Sequence, residues 1–339
     1  MEVTKKRLLT GNKAMAEAIR LEMEANENVF VLGEDVGTYG GIFGSTEGLF
    51  QHFGEERIMD TPISETAFIG AAIGSAAEGM RPIVELMFVD FFGVAMDQIY
   101  NHLAKIPYMS GGSVQLPVVL TTAVGGGYND AAQHSQTLYA TFGHIPGLKV
   151  VAPTTPHDIK GMMISAIRDD NPVLFMFHKT LQGLGWMDQL DTSIGHVPEG
   201  AYTVPLDKAN VVKEGTDVTI VTLQMTTHYA LQAVKELEEA SINAEIIDLR
   251  SIVPLDKETI LNSVRKTHRI IIVEEDYKSY GIGAEIAAII AEEALYDIEA
   301  PVKRLAMPDV PIPYSRPLEQ FVLPTTEKIV AEVTKLVNQ

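Results

Sequence analysis

Between residues 12 and 26 the apolar side chains Met15, Ala18, Ile19 and Met23 recur at three- and four-residue intervals, which gathers them on one face of a helix. VFVLG at 29 to 33 follows without alternation and reads as a short strand buried on both faces. The order then repeats. PIVELMFVD (82 to 90) predicts a strand, VAMDQIYNHLAKI (94 to 106) a helix and LPVVLTTAVGG (116 to 126) a strand, followed by LKVVAP as strand, HDIKGMMISAIRD as helix and PVLFMFH as strand. Unalternating strands separated by helices predict an α/β fold with a parallel sheet flanked by helices. From about residue 180 the periodicity fades among Gly183, Gly185, Gly195, Pro198, Gly200 and Pro205, which marks a linker over 181–210. Beyond it DVTIVTL, a helix to Ala240, AEIIDLR, another helix, RIIIVEE, GIGAEIAAIIAEEAL and VKRLAMP predict a second, smaller β/α domain. The division is therefore 1–180, a linker, and 211–339.

Composition narrows the possibilities. A chain of 339 residues suits about two domains, and 46% hydrophobic with 21% charged residues is a globular profile. With 45 acidic against 26 basic residues the formal net charge is −19, so nucleic acid and anionic membranes are repelled and a basic protein partner is attracted. There is no cysteine, which removes disulfides and thiolate chemistry and fits a reducing compartment. No apolar run follows MEVTKKRLLT, and none approaches the ~20 residues that cross a bilayer. A cytoplasmic location is the expectation.

Common motifs are missing. Neither VGGGYND (124 to 130) nor YGIGAEI (280 to 286) completes the G-x-G-x-x-G of a dinucleotide site, and both read as ordinary turn or helix-start glycines. P-loop, H-E-x-x-H, nucleophile-elbow and EF-hand spacings do not occur. What remains is a scatter of chemistry at strand ends, where open parallel sheets bind ligands. Glu34 follows VFVLG, Asp90 and Phe91 follow ELMFV, His134 lies beyond the third strand, and Glu65 opens a run of small apolar residues.

Six stretches carry a family resemblance: LGEDVG (32 to 37), DTPISE (60 to 65), RPIVELMF (81 to 88), AAQHSQ (131 to 136), PGLKVV (146 to 151) and IRDDNPVLF (167 to 175). In this order they closely resemble the beta subunit of the thiamine-diphosphate-dependent decarboxylating component of 2-oxo acid dehydrogenase complexes, the pyruvate, branched-chain and acetoin enzymes. The resemblance continues through IIDLRSIVPLD (246 to 256) to VPIPYS (310 to 315). It implies a transketolase-like pyrimidine-binding domain over 1–180 and a transketolase-type C-terminal domain over 211–339. No G-D-G occurs in the chain. The resemblance therefore puts the diphosphate and Mg²⁺ on an alpha subunit, in an alpha2-beta2 heterotetramer that serves a lipoyl acyltransferase core.

The same resemblance assigns roles. Glu65 would hydrogen-bond N1′ of the cofactor's aminopyrimidine, with the small-residue helix Phe68 to Ala77 supplying dry packing that favours a protonated carboxyl. Desolvation of a fully buried carboxyl, up to ~3 to 5 pH units, should outweigh the opposing helix dipole, typically below about 1 kcal/mol. Phe91 would pack on the aminopyrimidine ring, with Ile63 and Glu34 lining the pocket and Glu34 in a proton-bearing network. His134 would face the substrate and the lipoyl group. Val118, Ala166, Ile167, Asp169 and Asn171 match positions that hold a monovalent cation, K⁺, in some relatives.

One stretch departs from the pattern: Phe177 stands before His178 and Lys179 where many relatives have an acidic residue, in FMFHKTLQGLGWM. Free drift of a linker and altered subunit or substrate contacts both account for it. The expected activity is cleavage of pyruvate or acetoin, with the branched-chain enzyme, a noncatalytic assembly subunit and a transketolase-like transferase built from split chains as alternatives.

Overall fold

The computed structural model describes residues 7–184 and 193–339. Gly185, Trp186 and Met187 of the expected linker lie outside the described residues. The chain divides into two compact units, Met1–Val124 with Ile145–Leu206, and Gly125–His144 with Asp207–Gln339.

In the first unit, α1 (Gly11–Ala25) buries Met15, Ala18, Ile19 and Met23, the stripe that the spacing predicts. Its Glu22 takes a two-pronged contact from Arg168, at 2.8 and 2.9 Å, in the last turn of α3 (Pro156–Arg168). The unit contributes six strands to its main sheet: β1 (Val29–Gly33), β2 (Ile58–Asp60), β3 (Arg81–Phe88), β4 (Val119–Val124), β5 (Lys149–Val151) and β6 (Val173–His178). They run parallel in the order β5-β6-β4-β3-β1-β2. β1, β4 and β6 are buried along their whole length, the reason their sequences lack alternation. α2 (Glu65–Ala77) buries Phe68, Ile69, Ala72, Ile73 and Ala76 on one side and packs on β3.

Two expectations change. The α-helix expected at 94 to 106 is a tight 3₁₀ segment over Val89–Ala95, then a wide turn over Gln98–Leu103 in which Ala104 N–H reaches back five residues to Ile99 O at 3.1 Å. The apolar spacing that suggests a helix does not separate 3.0, 3.6 and wider residues per turn over so short a span. The stretch 193–206 is no free linker: Val204 N–H donates to Gly161 O at 3.1 Å, and Gly195–His196 pairs antiparallel with Leu8–Leu9.

In the second unit a five-stranded sheet is built of β7 (Asn210–Lys213), β8 (Val218–Thr222), β9 (Ala244–Asp248), β10 (Ile270–Tyr277) and β11 (Lys303–Met307), in the order β11-β10-β8-β9-β7. Only β7 runs antiparallel to its neighbour. Around them lie α4 (Met225–Glu239), α5 (Lys257–Thr267), α6 (Ile282–Glu293), α7 (Arg316–Val322) and α8 (Thr326–Val337). One core joins Val218, Ile220 and Ile271 of the sheet to Ala233 and Leu237 of α4 and Ile329 and Val333 of α8. The segment 125–144 packs within this unit. Three polar contacts account for that: Tyr139 Oη donates to Gln224 at 2.5 Å, Ala140 N–H to Asp276 at 3.2 Å, and Gly127 N–H to Glu319 at 3.0 Å. No helix among the described residues is long and apolar enough to cross a membrane.

Candidate active site

Glu34 stands immediately after β1, on its carboxyl end, and Glu65 is the first residue of α2. β1 and β2 are adjacent, and the short link from β2 to α2 returns the chain beside Glu34. Glu65 is only 8% exposed. Its position is not that of a solvated first-turn carboxylate. Glu34 is half-buried, and one of its oxygens, Oε1, is buried without a hydrogen-bond partner. Burial first, then the nearby Glu65 and Asp35, raise the Glu34 carboxyl above its ordinary range, against the Ser64 backbone N–H that favours the ionised form. A raised acid with an unused buried oxygen is suited to hold a proton and exchange it with a polar ligand atom.

Phe91 lies in the 3₁₀ segment after β3, its ring 5.5 Å from Phe88 and edge-on. That segment is tied to α2 where Thr66 Oγ1 donates to Val94 O at 2.5 Å. Ile63, in the turn before α2, is 83% exposed and presents a large apolar side chain two residues before Glu65. The structure thus brings Glu34, Ile63, Glu65 and Phe91 to the carboxyl edge of one sheet. His134 belongs to the second unit, in the segment 125–144.

The departure at Phe177 is resolved at the level of packing. It is a fully buried residue of β6, within the strand that PVLFMFH predicts, with its ring 5.9 Å from Phe43. Phe43 stands 5.5 Å from Phe88, which is in turn against Phe91. A row of edge-on aromatics therefore runs from Phe177 to Phe91.

Of the oxygens matched to a monovalent cation, Ile167 O and Asp169 O accept from Arg81 at 2.8 and 2.7 Å. Ala166 O accepts from Asp169 N–H at 3.2 Å and Val118 O from Val173 N–H at 2.9 Å. Asn171 donates to the Asp169 carboxylate through backbone and amide, and Lys149 also reaches it. Burial opposes the charge on Asp169, yet Lys149 and Asn171 hold it below the usual range. A carbonyl oxygen has two lone pairs, so these bonds do not exhaust its capacity.

Glu85 and Glu319 are among the buried acids that the sequence reasoning did not single out. Glu85, in β3, is 3% exposed, accepts from Ser45 Oγ at 2.5 Å and is pushed up to about 7 by burial. Glu319, 1% exposed in α7, accepts the backbone N–H groups of Gly127 and Asn129. Glu85 had a signal, an acid inside an unbroken apolar strand. Glu319 had none, because its partners are backbone atoms distant in sequence.

Fold and site define a two-domain α/β protein of transketolase type. Residues 8–183 match the transketolase pyrimidine binding domain and residues 207–329 the transketolase C-terminal domain. The chain is 45% identical to the beta subunit of acetoin:2,6-dichlorophenolindophenol oxidoreductase of Cupriavidus necator, over 97% of each chain. It is 45% identical to the 2-oxoisovalerate dehydrogenase beta subunit of Bacillus subtilis, over 94% of this chain and 95% of that one. It is 44% identical to the pyruvate dehydrogenase E1 component beta subunit of Rickettsia bellii, over 97% and 98%. A solved structure described as a split-gene transketolase, an inactive beta4 tetramer, superposes with a TM-score of 0.76 at 25% identity, covering 97% of this chain and 98% of that one. The chain belongs to the family of these dehydrogenase beta subunits.

Proposed function

We propose that the chain is the beta subunit of a thiamine-diphosphate-dependent dehydrogenase component. With an alpha subunit, in an alpha2-beta2 heterotetramer, it cleaves pyruvate or acetoin and passes the two-carbon unit to a lipoyl group of an acyltransferase core. The observation that carries this reading is the pair of acids at the carboxyl edge of the first sheet: Glu65 buried at the head of α2, beside a Glu34 whose carboxyl is raised by burial and by Glu65 itself. The free buried oxygen of Glu34 and the aromatic ring of Phe91 fit a flat, polar heterocycle.

Thiamine diphosphate, when bound, supplies the electron sink for breaking the bond next to the substrate carbonyl. Glu65 would hold a proton at one carboxylate oxygen and share it with N1′ of the aminopyrimidine, and Glu34 would keep a second proton in the same network. Phe91 and Ile63 would orient the ring and exclude water. His134 would exchange a proton with the substrate or the lipoyl sulfur through its imidazole. The alpha subunit would hold Mg²⁺ and the diphosphate. Val118, Ala166, Ile167, Asp169 and Asn171 would form a structural K⁺ loop, away from the chemistry.

Reconstitution with the alpha chain and dye-linked oxidation of pyruvate, acetoin and a branched-chain 2-oxo acid tests the reading. Oxidation of pyruvate or acetoin supports it, and an assembled tetramer inert to all three substrates overturns it. The branched-chain substrate is the second reading, since the 45% identity to the 2-oxoisovalerate dehydrogenase beta subunit equals that to the acetoin oxidoreductase beta subunit. A purely architectural subunit would keep its complex-level activity after loss of Glu65. The split transketolase is the more remote relative, at 25% identity.

A further inference from the structure

The start of the segment that carries His134 has no strand or helix of its own. Asn129 and Ala131 both take left-handed φ, 64° and 62°, a conformation that asparagine tolerates but that alanine keeps only when neighbouring structure holds it there. Two residues one helical turn apart supply the hold. Glu319 accepts Gly127 N–H at 3.0 Å through Oε1, and Asn129 N–H at 3.3 and 3.1 Å through Oε1 and Oε2. Leu323, 4% exposed, packs so closely on Gly126 that an added Cβ there would lie 2.8 Å from its Cδ1. The two share a face because Leu323 N–H closes the turn onto Glu319 O at 3.0 Å. All of these residues belong to the second unit.

A carboxylate that receives backbone N–H groups inside the protein makes stronger bonds than a neutral acceptor, and its removal strands those N–H groups away from water. The bond is also indifferent to the side chains of residues 127 and 129, so it fixes the path of the chain itself. We infer that Glu319 is a positioning residue for His134: from α7 it clamps the backbone of the loop that delivers the imidazole. This rests on the proposed role of His134. Glu319 acts through the loop and touches neither substrate nor cofactor.

The test uses the assembled tetramer with Glu319→Ala, Glu319→Gln and His134→Ala. Hydrogen exchange of peptides spanning 125–137 should rise about 10-fold or more in Glu319→Ala, while peptides of β8 stay protected, since two backbone bonds are lost locally. The kcat should fall by about 10- to 100-fold, and the limb of the pH profile abolished by His134→Ala should shift. Glu319→Gln should recover most of both, because its amide oxygen still accepts, and it keeps the test decisive if the alanine variant does not assemble. Unchanged exchange at 125–137, or exchange that rises evenly across the second unit, overturns the inference. Loosening at 125–137 with wild-type kcat, while His134→Ala is impaired, overturns it as well. Full activity of His134→Ala instead sinks the proposed role of His134, and with it the purpose assigned to the clamp.

Discussion

Glu65 bears on the charge of Glu34 within the first unit: after burial, the Glu65 carboxylate is the largest influence raising the Glu34 carboxyl above its ordinary range. Replacing Glu65 by glutamine removes that repulsion without changing the shape of the side chain. Glu34 should then titrate closer to its ordinary value of 4.5, which side-chain ¹³C shifts across a pH series on the isolated chain would follow. In the reconstituted enzyme Glu65→Gln should leave folding and assembly intact and lower turnover by about two orders of magnitude or more, the scale of a lost proton-transfer group. Near wild-type turnover in a dye-linked assay would take Glu65 out of the mechanism.

Glu85 makes the stability of the chain depend on pH. Burial raises its carboxyl from 4.5 to about 7, so the folded state binds the proton more tightly than the unfolded state does. The stabilisation is complete below pH 4.5 and is lost as pH rises through about 7. That amounts to roughly 3 kcal/mol, since the folded protein must ionise a group kept from water. Glu85→Gln should flatten the fall in Tm between pH 5 and 8, as measured by calorimetry on buffers of matched ionic strength. An equal fall in the variant would mean that other groups are responsible.

Phe177 closes the aromatic row that ends on Phe91. Phe177→Ala should destabilise the chain by about 3 to 5 kcal/mol, the usual consequence of emptying a large core site. Phe177→Leu should be milder in stability yet weaken retention of thiamine diphosphate by several fold, through the displaced Phe43 and Phe88 rings. Fluorescence titration with the coenzyme separates the two effects. Unchanged coenzyme affinity in Phe177→Leu would confine the row to a packing role.

The loop around Asp169 gives a prediction about salts. With K⁺ on the free lone pairs of these carbonyls, Tm should be higher in KCl than in choline chloride of the same concentration. Asp169→Asn should abolish the difference. Equal Tm in both salts would leave Arg81 and Lys149 as the only cations that the loop needs.

Much of the chain is readable without coordinates. Unalternating apolar runs marked β1, β4 and β6 because strands covered on both faces have no polar side to show. The stripe of Met15, Ala18, Ile19 and Met23 marked α1 because a helix core repeats every third or fourth residue. Glu65 drew attention as an acid before a run of small residues, and its place at the head of a buried helix follows from local pattern.

Other features were decided only by the tertiary fold. Whether 89–103 winds as an α-helix or as 3₁₀ and wider turns depends on how it packs against α2, and apolar spacing is too coarse to tell. The allegiance of 125–144 depends on carboxylates of Glu319 and Asp276 that bind backbone N–H groups, which are alike in every residue except proline. The strand PVLFMFH was legible with Phe177 in it, but that its ring meets Phe43 was not, because a contact between distant side chains leaves no local pattern. Sequence by itself determined which segments could be buried and in what order, since burial follows side-chain chemistry along the chain. Which distant groups meet, and hence where a proton is held, was decided by the folded structure, because that is set by distance and desolvation in space.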